Sequence, residues 1–240
     1  MPNWCFNYLD ISGGDVSALK TQLNTPFEVE HDSFNMETRE HERKMFKYSN
    51  PVFAFWNIVK PTDLEAYHKQ PDHTVPIAEQ LMFSGDHWYD WNVRNWGTKW
   101  DVAVGDEDKY PETELTDESD TFIGYKFNTA WSPPVEAIVA LSQQYPDLVF
   151  NLSFEEETGW GGEVVIENGE PMETESYDNK CRDCEALNTL QYCDNDCGEI
   201  CDSCHYLGEA DLEAVAECEE HKVYLTEEYV PNYRMDQVDV

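Results

Sequence analysis

Positive charge is what this 240-residue chain has least of. Its 15 Lys and Arg stand against 50 Asp and Glu, a formal net charge of −35. So acidic a surface repels phosphate, which excludes ordinary DNA or RNA binding through a basic footprint. The expected partner is instead a basic protein or a cation. Long apolar runs are also missing: no window approaches the roughly 18 uninterrupted apolar residues that a membrane span needs. The opening Met1-Pro-Asn-Trp-Cys-Phe-Asn-Tyr8 has no basic flank and no apolar stretch, so neither a signal peptide nor a membrane partner is expected. There is no P-loop, GxGxxG, GxSxG or HExxH and no internal repeat. Without secretion, cysteines read as thiolates in a reducing cytoplasm rather than as disulfides.

Aromatic residues are plentiful, at 13% with eight tryptophans, which argues for a real core. Residues 3–12 carry strand formers and end at Gly13-Gly14. From Asp15 to Asn24, Val16, Leu19 and Leu23 fall on one helical face. Residues 31–47 are charged and read as a solvated excursion or exposed helix. Pro51 to Val59 reads as a short buried segment, and Thr62-Asp-Leu-Glu65 as a capping box. Asp86 to Trp96 predicts a helix closing at Gly97. Lys99 to Val104 alternates like a strand, while 105–120 is acidic and turn-rich. Thr121 to Trp131 predicts a strand, and Ser132-Pro133 the cap and first position of a helix running to about Pro146. Strands follow at Leu148 to Phe154 and Trp160 to Glu167. Strand, helix, insertion, strand, strand, helix, strand, with one added strand, is the order of an α+β ferredoxin-like sandwich. The domain is expected over 1–168, with its insert around 25–85, then a polar linker over 169–180 and an acidic, cysteine-rich module over 181–240. In that module Asp211 should cap a short helix, and Val223 to Leu225 could return as a strand.

Three separated blocks resemble a known family. Met1-Pro-Asn-Trp-Cys-Phe-Asn7, Trp88-Tyr-Asp-Trp91 with Asn95-Trp-Gly-Thr-Lys-Trp-Asp101, and Phe127-Asn-Thr-Ala-Trp-Ser-Pro-Pro134 are similar to the YubB / Api92-like proteins of bacteriophages and plasmids. The resemblance covers roughly residues 1–167. It implies a ferredoxin-like domain and a mobile genetic element as the source. It carries over no catalytic residue and no iron–sulfur cluster.

The most specific chemistry lies beyond that domain. Six cysteines occupy 24 residues: Cys181-Arg-Asp-Cys184, Cys193, Cys197 and Cys201-Asp-Ser-Cys204. Two CxxC pairs separated by sixteen residues suit a tetrahedral zinc site, with Cys181, Cys184, Cys201 and Cys204 as ligands. Cys193 and Cys197 are alternates for one pair, or members of a second site with His205, Cys218 or His221. An iron–sulfur cluster is the competing metal group, disfavoured because no ferredoxin-type cysteine run occurs. Cys5 reads as a small buried hydrophobe. The tryptophans of 88–100 read as core before binding platform. His87 with Asp90, and Glu155-Glu156-Glu157, are weak acid–base or cation candidates, since successive strand residues point to opposite faces.

The sequence therefore predicts a phage or mobile-element accessory protein. It is expected to be non-enzymatic, protein-binding and cytoplasmic, with a structural zinc. The alternative is an acidic DNA mimic that occupies the basic cleft of a host protein. A metal-dependent enzyme comes third, because four thiolates close a zinc site to water.

Overall fold

The computed structural model describes residues 3–35, 39–68, 87–107, 113–181, 184–192, 198–201, 203, 212–219 and 222. The chain forms two compact units: Met1–Glu157 with Gly162–Glu175, and Thr158–Gly161 with Ser176–Val240.

The first unit is built on a six-stranded antiparallel sheet. Strand β1 (Trp4–Ser12) alternates strictly, burying Cys5, Asn7, Leu9 and Ile11 and turning Phe6, Tyr8 and Asp10 outward. After Gly13-Gly14 the chain enters helix α1 (Ser17–Leu23), whose Leu19 and Leu23 are buried. The Asp15 carboxylate accepts from the Ser17 N–H at 2.9 Å, and the Ser17 hydroxyl together with that N–H holds its pKa below the ordinary value. Further along come β4 (Glu114–Glu118), β5 (Phe122–Ala130), β6 (Val149–Glu156), β7 (Gly161–Glu167) and β8 (Glu170–Tyr177). Helix α4 (Val135–Gln144) joins β5 to β6. The sheet order is β4-β5-β1-β6-β7-β8. Its first four strands, read from β6, follow the ferredoxin-like pattern of last, first, third and second strand. Strands β7 and β8 extend the sheet beyond β6.

Helices α1 and α4 cover one face, where Leu19, Leu23, Ile138 and Leu141 join Leu9, Ile11, Ile123, Tyr125, Phe150 and Leu152 in one core. The insert supplies a second, aromatic layer. A hairpin of β2 (Phe27–Asn35) and β3 (Glu40–Tyr48) leads into the buried 3-10 turn Phe55–Asn57. Short helix α2 (Leu64–Tyr67) and helix α3 (Trp88–Trp96) follow. Phe53 stacks on Phe127 at 5.1 Å between centroids, and Phe55 meets Trp96 at 5.8 Å. Trp91 meets Trp96 edge-on at 5.5 Å. The polar tips are satisfied: Tyr67 Oη donates to Asn92 Oδ1 at 2.9 Å and Trp96 Nε1 to the Val59 carbonyl at 3.0 Å.

Several expectations need correcting. Residues 99–104 are not a strand, because the Asp101 carboxylate draws that segment across the insert by accepting from the N–H groups of Phe55, Trp56 and Ala103. The second strand of the fold is β4, inside the supposed connection 105–120. Residues 31–35 and 40–47 pair as a hairpin and not a helix, and its β3 arm is mostly exposed over 42–47, so the excursion is solvated. Asp63, not Thr62, caps α2, accepting from the Ala66 N–H at 2.9 Å. Helix α4 begins two residues late, with Pro134 at its cap, while Ser132 Oγ donates to the Gly97 carbonyl at 2.6 Å. Most of the expected linker is strand β8. The possible strand at 223–225 and the cap at Asp211 lie outside the described residues. Among those residues no helix is long and apolar enough to cross a membrane.

Candidate metal centre

Within the second unit, Lys180 and Leu187 form an antiparallel bridge around a tight loop that contains Cys181 and Cys184. The Cys181 N–H donates to the Ala186 carbonyl at 3.0 Å, and the Glu185 N–H returns to the Cys181 carbonyl at 2.9 Å. Glu185 turns the corner with φ 58°, in the left-handed region that non-glycine residues enter only when surroundings hold them. The loop is fastened outside as well. Asn179 Oδ1 accepts from the Leu190 N–H at 2.9 Å, and Asn188 Oδ1 from the Asp178 N–H at 2.7 Å. A hairpin of β9 (Leu190–Tyr192) and β10 (Glu199–Cys201) then carries the chain back, placing Cys201 opposite Leu190.

These two pieces bring three sulfurs together. The Sγ atoms of Cys181, Cys184 and Cys201 all lie within 4.8 Å of one another. Cys184 and Cys201 are 3.8 Å apart, far too long for a disulfide. A tetrahedral ion with about 2.3 Å bonds to sulfur requires ligand edges of about 3.8 Å, so the Cys184–Cys201 edge suits a metal and Cys181 is close enough to join it. Cys181 and Cys201 are buried, while Cys184 is exposed. Thr189 Oγ1 sits 3.2 Å from Cys201 Sγ, and with that sulfur as a thiolate the hydroxyl is the donor. Three close thiolates in so acidic a chain would repel one another, and a cation removes that cost. The donor set thus suits zinc or another thiophilic ion.

Cys204 lies outside the described residues, as do Cys193, Cys197, His205 and His221. Cys218 is buried next to helix α5 (Leu212–Glu217) and does not join the three sulfurs. Cys5 is wholly buried in the first unit, where desolvation pushes its thiol up to about 12.

The other sequence candidates separate. Trp91 and Trp96 are core, but Trp100 is 40% exposed. His87 precedes α3, with its ring near Trp88, and Asp90 lies in the first turn of that helix. Glu155 and Glu156 fall on opposite faces of β6, Glu156 being buried, and Glu157 follows the strand, so the three do not converge. Sequence reasoning missed Phe6 and Tyr8, exposed aromatics on the outer face of β1. The signal was their alternation with the buried residues, which leaves large rings on the side that faces away from the helices.

Residues 99–194 match the family model described as the ferredoxin-like domain in Api92-like protein. The chain carries an Api92-like ferredoxin-like domain. The match begins at the segment 99–104, takes in β4 through β9 and includes the loop with Cys181 and Cys184, so the Api92-like segment reaches into the cysteine-rich unit. A solved structure of protein Api92 from Yersinia pseudotuberculosis is similar at 11% identity over 75% of this chain and 99% of that one, with a TM-score of 0.39. No curated protein matches the chain.

Proposed function

We propose that this is a non-enzymatic accessory protein of a phage or other mobile element that binds a basic protein, with zinc as a structural cofactor of its C-terminal unit. The observation that carries the reading is the trio Cys181, Cys184 and Cys201, whose sulfurs lie within 4.8 Å of one another, with Cys184 and Cys201 at 3.8 Å. Cys204 supplies the fourth sulfur in this reading, since it belongs to the same CxxC pair as Cys201. Four thiolates leave no position for water, so the ion fastens the fold rather than activating a nucleophile. The net charge of −35 favours a basic partner.

Metal analysis of the purified full chain tests this, alongside Cys184→Ser and Cys204→Ser. About one zinc per wild-type chain is expected, with loss in both variants. Retention of metal by both would refute the ligand assignment. A solvent oxygen in the ion's coordination shell would favour an open, reactive site instead.

A further inference from the structure

The outer face of the sheet, opposite α1 and α4, carries a line of exposed rings. Strand pairing arranges its side chains in rows. Trp4 lies beside Ala130, Phe6 between Asn128 and Glu155, and Tyr8 between Lys126 and Ser153. Phe6 and Tyr8 are 39% and 50% exposed on the central strand β1. The line continues past Trp4 to Trp100, whose ring centroid is 6.3 Å from that of Trp4, and Trp131 is exposed nearby.

Around Trp100 and Trp131 the rings already hold a cation. Lys99 Nζ sits 4.4 Å from the Trp100 centroid and 4.7 Å from the Trp131 centroid, with the Tyr89 ring at 5.9 Å. Lys126 Nζ lies 5.7 Å from the Tyr8 centroid in the same way. Trp131 is held at φ 72°, its N–H bonded to the Asn3 carbonyl at 2.9 Å. A bulky residue pays for that conformation, so the turn keeps an exposed ring where a glycine would be easier.

Aromatic rings on the central strands of a ferredoxin-like sheet are also how some domains stack nucleobases. Charge decides between the two ligands here. The outer rows hold Asp10 on β1, Glu114 and Asp117 on β4 and Glu155 on β6, against Lys126 and Lys99. Asp117 and Asp10 both flank Gly124, and burial together with the Asp117 charge lifts the Asp10 carboxyl above its ordinary pKa. Carboxylates crowded this way repel phosphate and attract a cation.

We propose that this face binds an arginine-bearing segment of a basic protein, guanidinium groups stacking on Tyr8, Trp100 and Trp131 while the acidic rows pair with them. Arginine is favoured over lysine because its planar, weakly hydrated cation stacks on aromatic rings and bonds carboxylates two at a time. Lys99 is then an internal occupant that the incoming arginine displaces. The inference rests on the protein-binding reading above and locates that binding in the first unit.

Fluorescence anisotropy on the full chain tests it, using labelled Arg-Ser repeat peptide, its Glu-Ser counterpart and oligouridylate. The Arg-Ser peptide should bind alone of the three and weaken as salt rises. Trp131→Gly removes the ring while relaxing the backbone, so it keeps the fold, and it should weaken binding by roughly threefold or more. Tyr8→Ser should act likewise. Lys99→Ala should strengthen binding more than the charge control Lys60→Ala. No binding of the Arg-Ser peptide, unchanged affinity in both ring variants, or tighter binding of oligouridylate would overturn the proposal. If Cys184→Ser abolishes peptide binding while Trp131→Gly does not, this face is not the site, yet the protein-binding reading survives.

Discussion

Asp101 is the side chain whose removal should cost the first unit most for the fewest atoms. Its carboxylate accepts from the N–H of Phe55 at 2.9 Å, of Trp56 at 2.8 Å and of Ala103 at 3.1 Å. Phe55 and Trp56 open the 3-10 turn that delivers the insert's rings to Trp96 and Phe127. Asp101→Ala leaves three backbone donors without their acceptor. Bonds to a charged acceptor are worth about 1.5–3 kcal/mol each. The three are not additive, so a loss of about 3 kcal/mol is expected. Burial lifts the Asp101 carboxyl above its ordinary pKa against the pull of those N–H groups, so its charge is itself costly. Asp101→Asn keeps the shape without the charge but aims an amide N–H at a donor. Its expected loss is smaller, about 1–2 kcal/mol. Urea unfolding followed by tryptophan fluorescence reads both, and the alanine variant should melt about 6–12 °C lower for a domain of this size. An Asp101→Ala protein within about 0.5 kcal/mol of wild type would refute the reasoning, as would an asparagine variant less stable than the alanine one.

The buried thiol of Cys5, pushed up to about 12 from 9.0, gives a pH dependence with a definite sign. Its stabilisation is complete below pH 9 and is lost as pH rises toward 12. Wild type should therefore lose about 1.4 kcal/mol more than Cys5→Ala between pH 8 and pH 10, measured by urea unfolding at both values. Gly97 ends α3 at φ 81°, where an added Cβ would strike the Glu136 carboxylate and crowd the Pro133 carbonyl. Gly97→Ala should cost about 1–2 kcal/mol in the same assay, and a neutral result would mean that the α3 terminus relaxes freely. Treatment with a strong chelator should expose residues 176–240 to protease while 1–175 persists, seen by mass spectrometry of the fragments. An unchanged digestion pattern would argue against a metal that supports the fold.

How much of this was legible in the sequence depended on burial. Strands β1, β5, β6 and β7 announce themselves because one face of each packs on the core. Helix α3 ends where Gly97 predicts. Strand β4 gave no such signal: all five of its residues are exposed on a sheet edge, so Glu114 to Glu118 look like a loop. The β2–β3 hairpin hides in charge for a related reason, pairing residues such as Glu28 with Lys47 along exposed strands. The segment 99–104 misleads in the opposite sense. Its alternation is real, but Asp101 spends its carboxylate on backbone donors of the distant turn at Phe55, and a carboxylate inside an alternating run carries no mark of that destination. At the cysteines, three of the four sulfurs that the spacing proposes as ligands, Cys181, Cys184 and Cys201, lie close together, and Cys204 is outside the described residues. The hairpin that presents Cys201 was not legible, because β9 and β10 are three residues each.

The range of electrostatics sharpens what the net charge means for the outer sheet face. At physiological salt, fields between exposed charges fade over about 8 Å. Strand β8 lies three strands from β1, roughly 14 Å away at the usual spacing. Glu170, Glu173 and Glu175 on that strand therefore add to the −35 without choosing the ligand at Tyr8. The choice falls to Asp10, Glu114, Asp117 and Glu155, which share the rows of the rings. Total charge and local charge then make different demands. A protein that imitated DNA would need its carboxylates in a regular array that copies the spacing of phosphates. A face that stacks arginine depends on these four and is indifferent to β8. The formal charge is common to both readings, and only the register of β1 with its neighbours tells them apart.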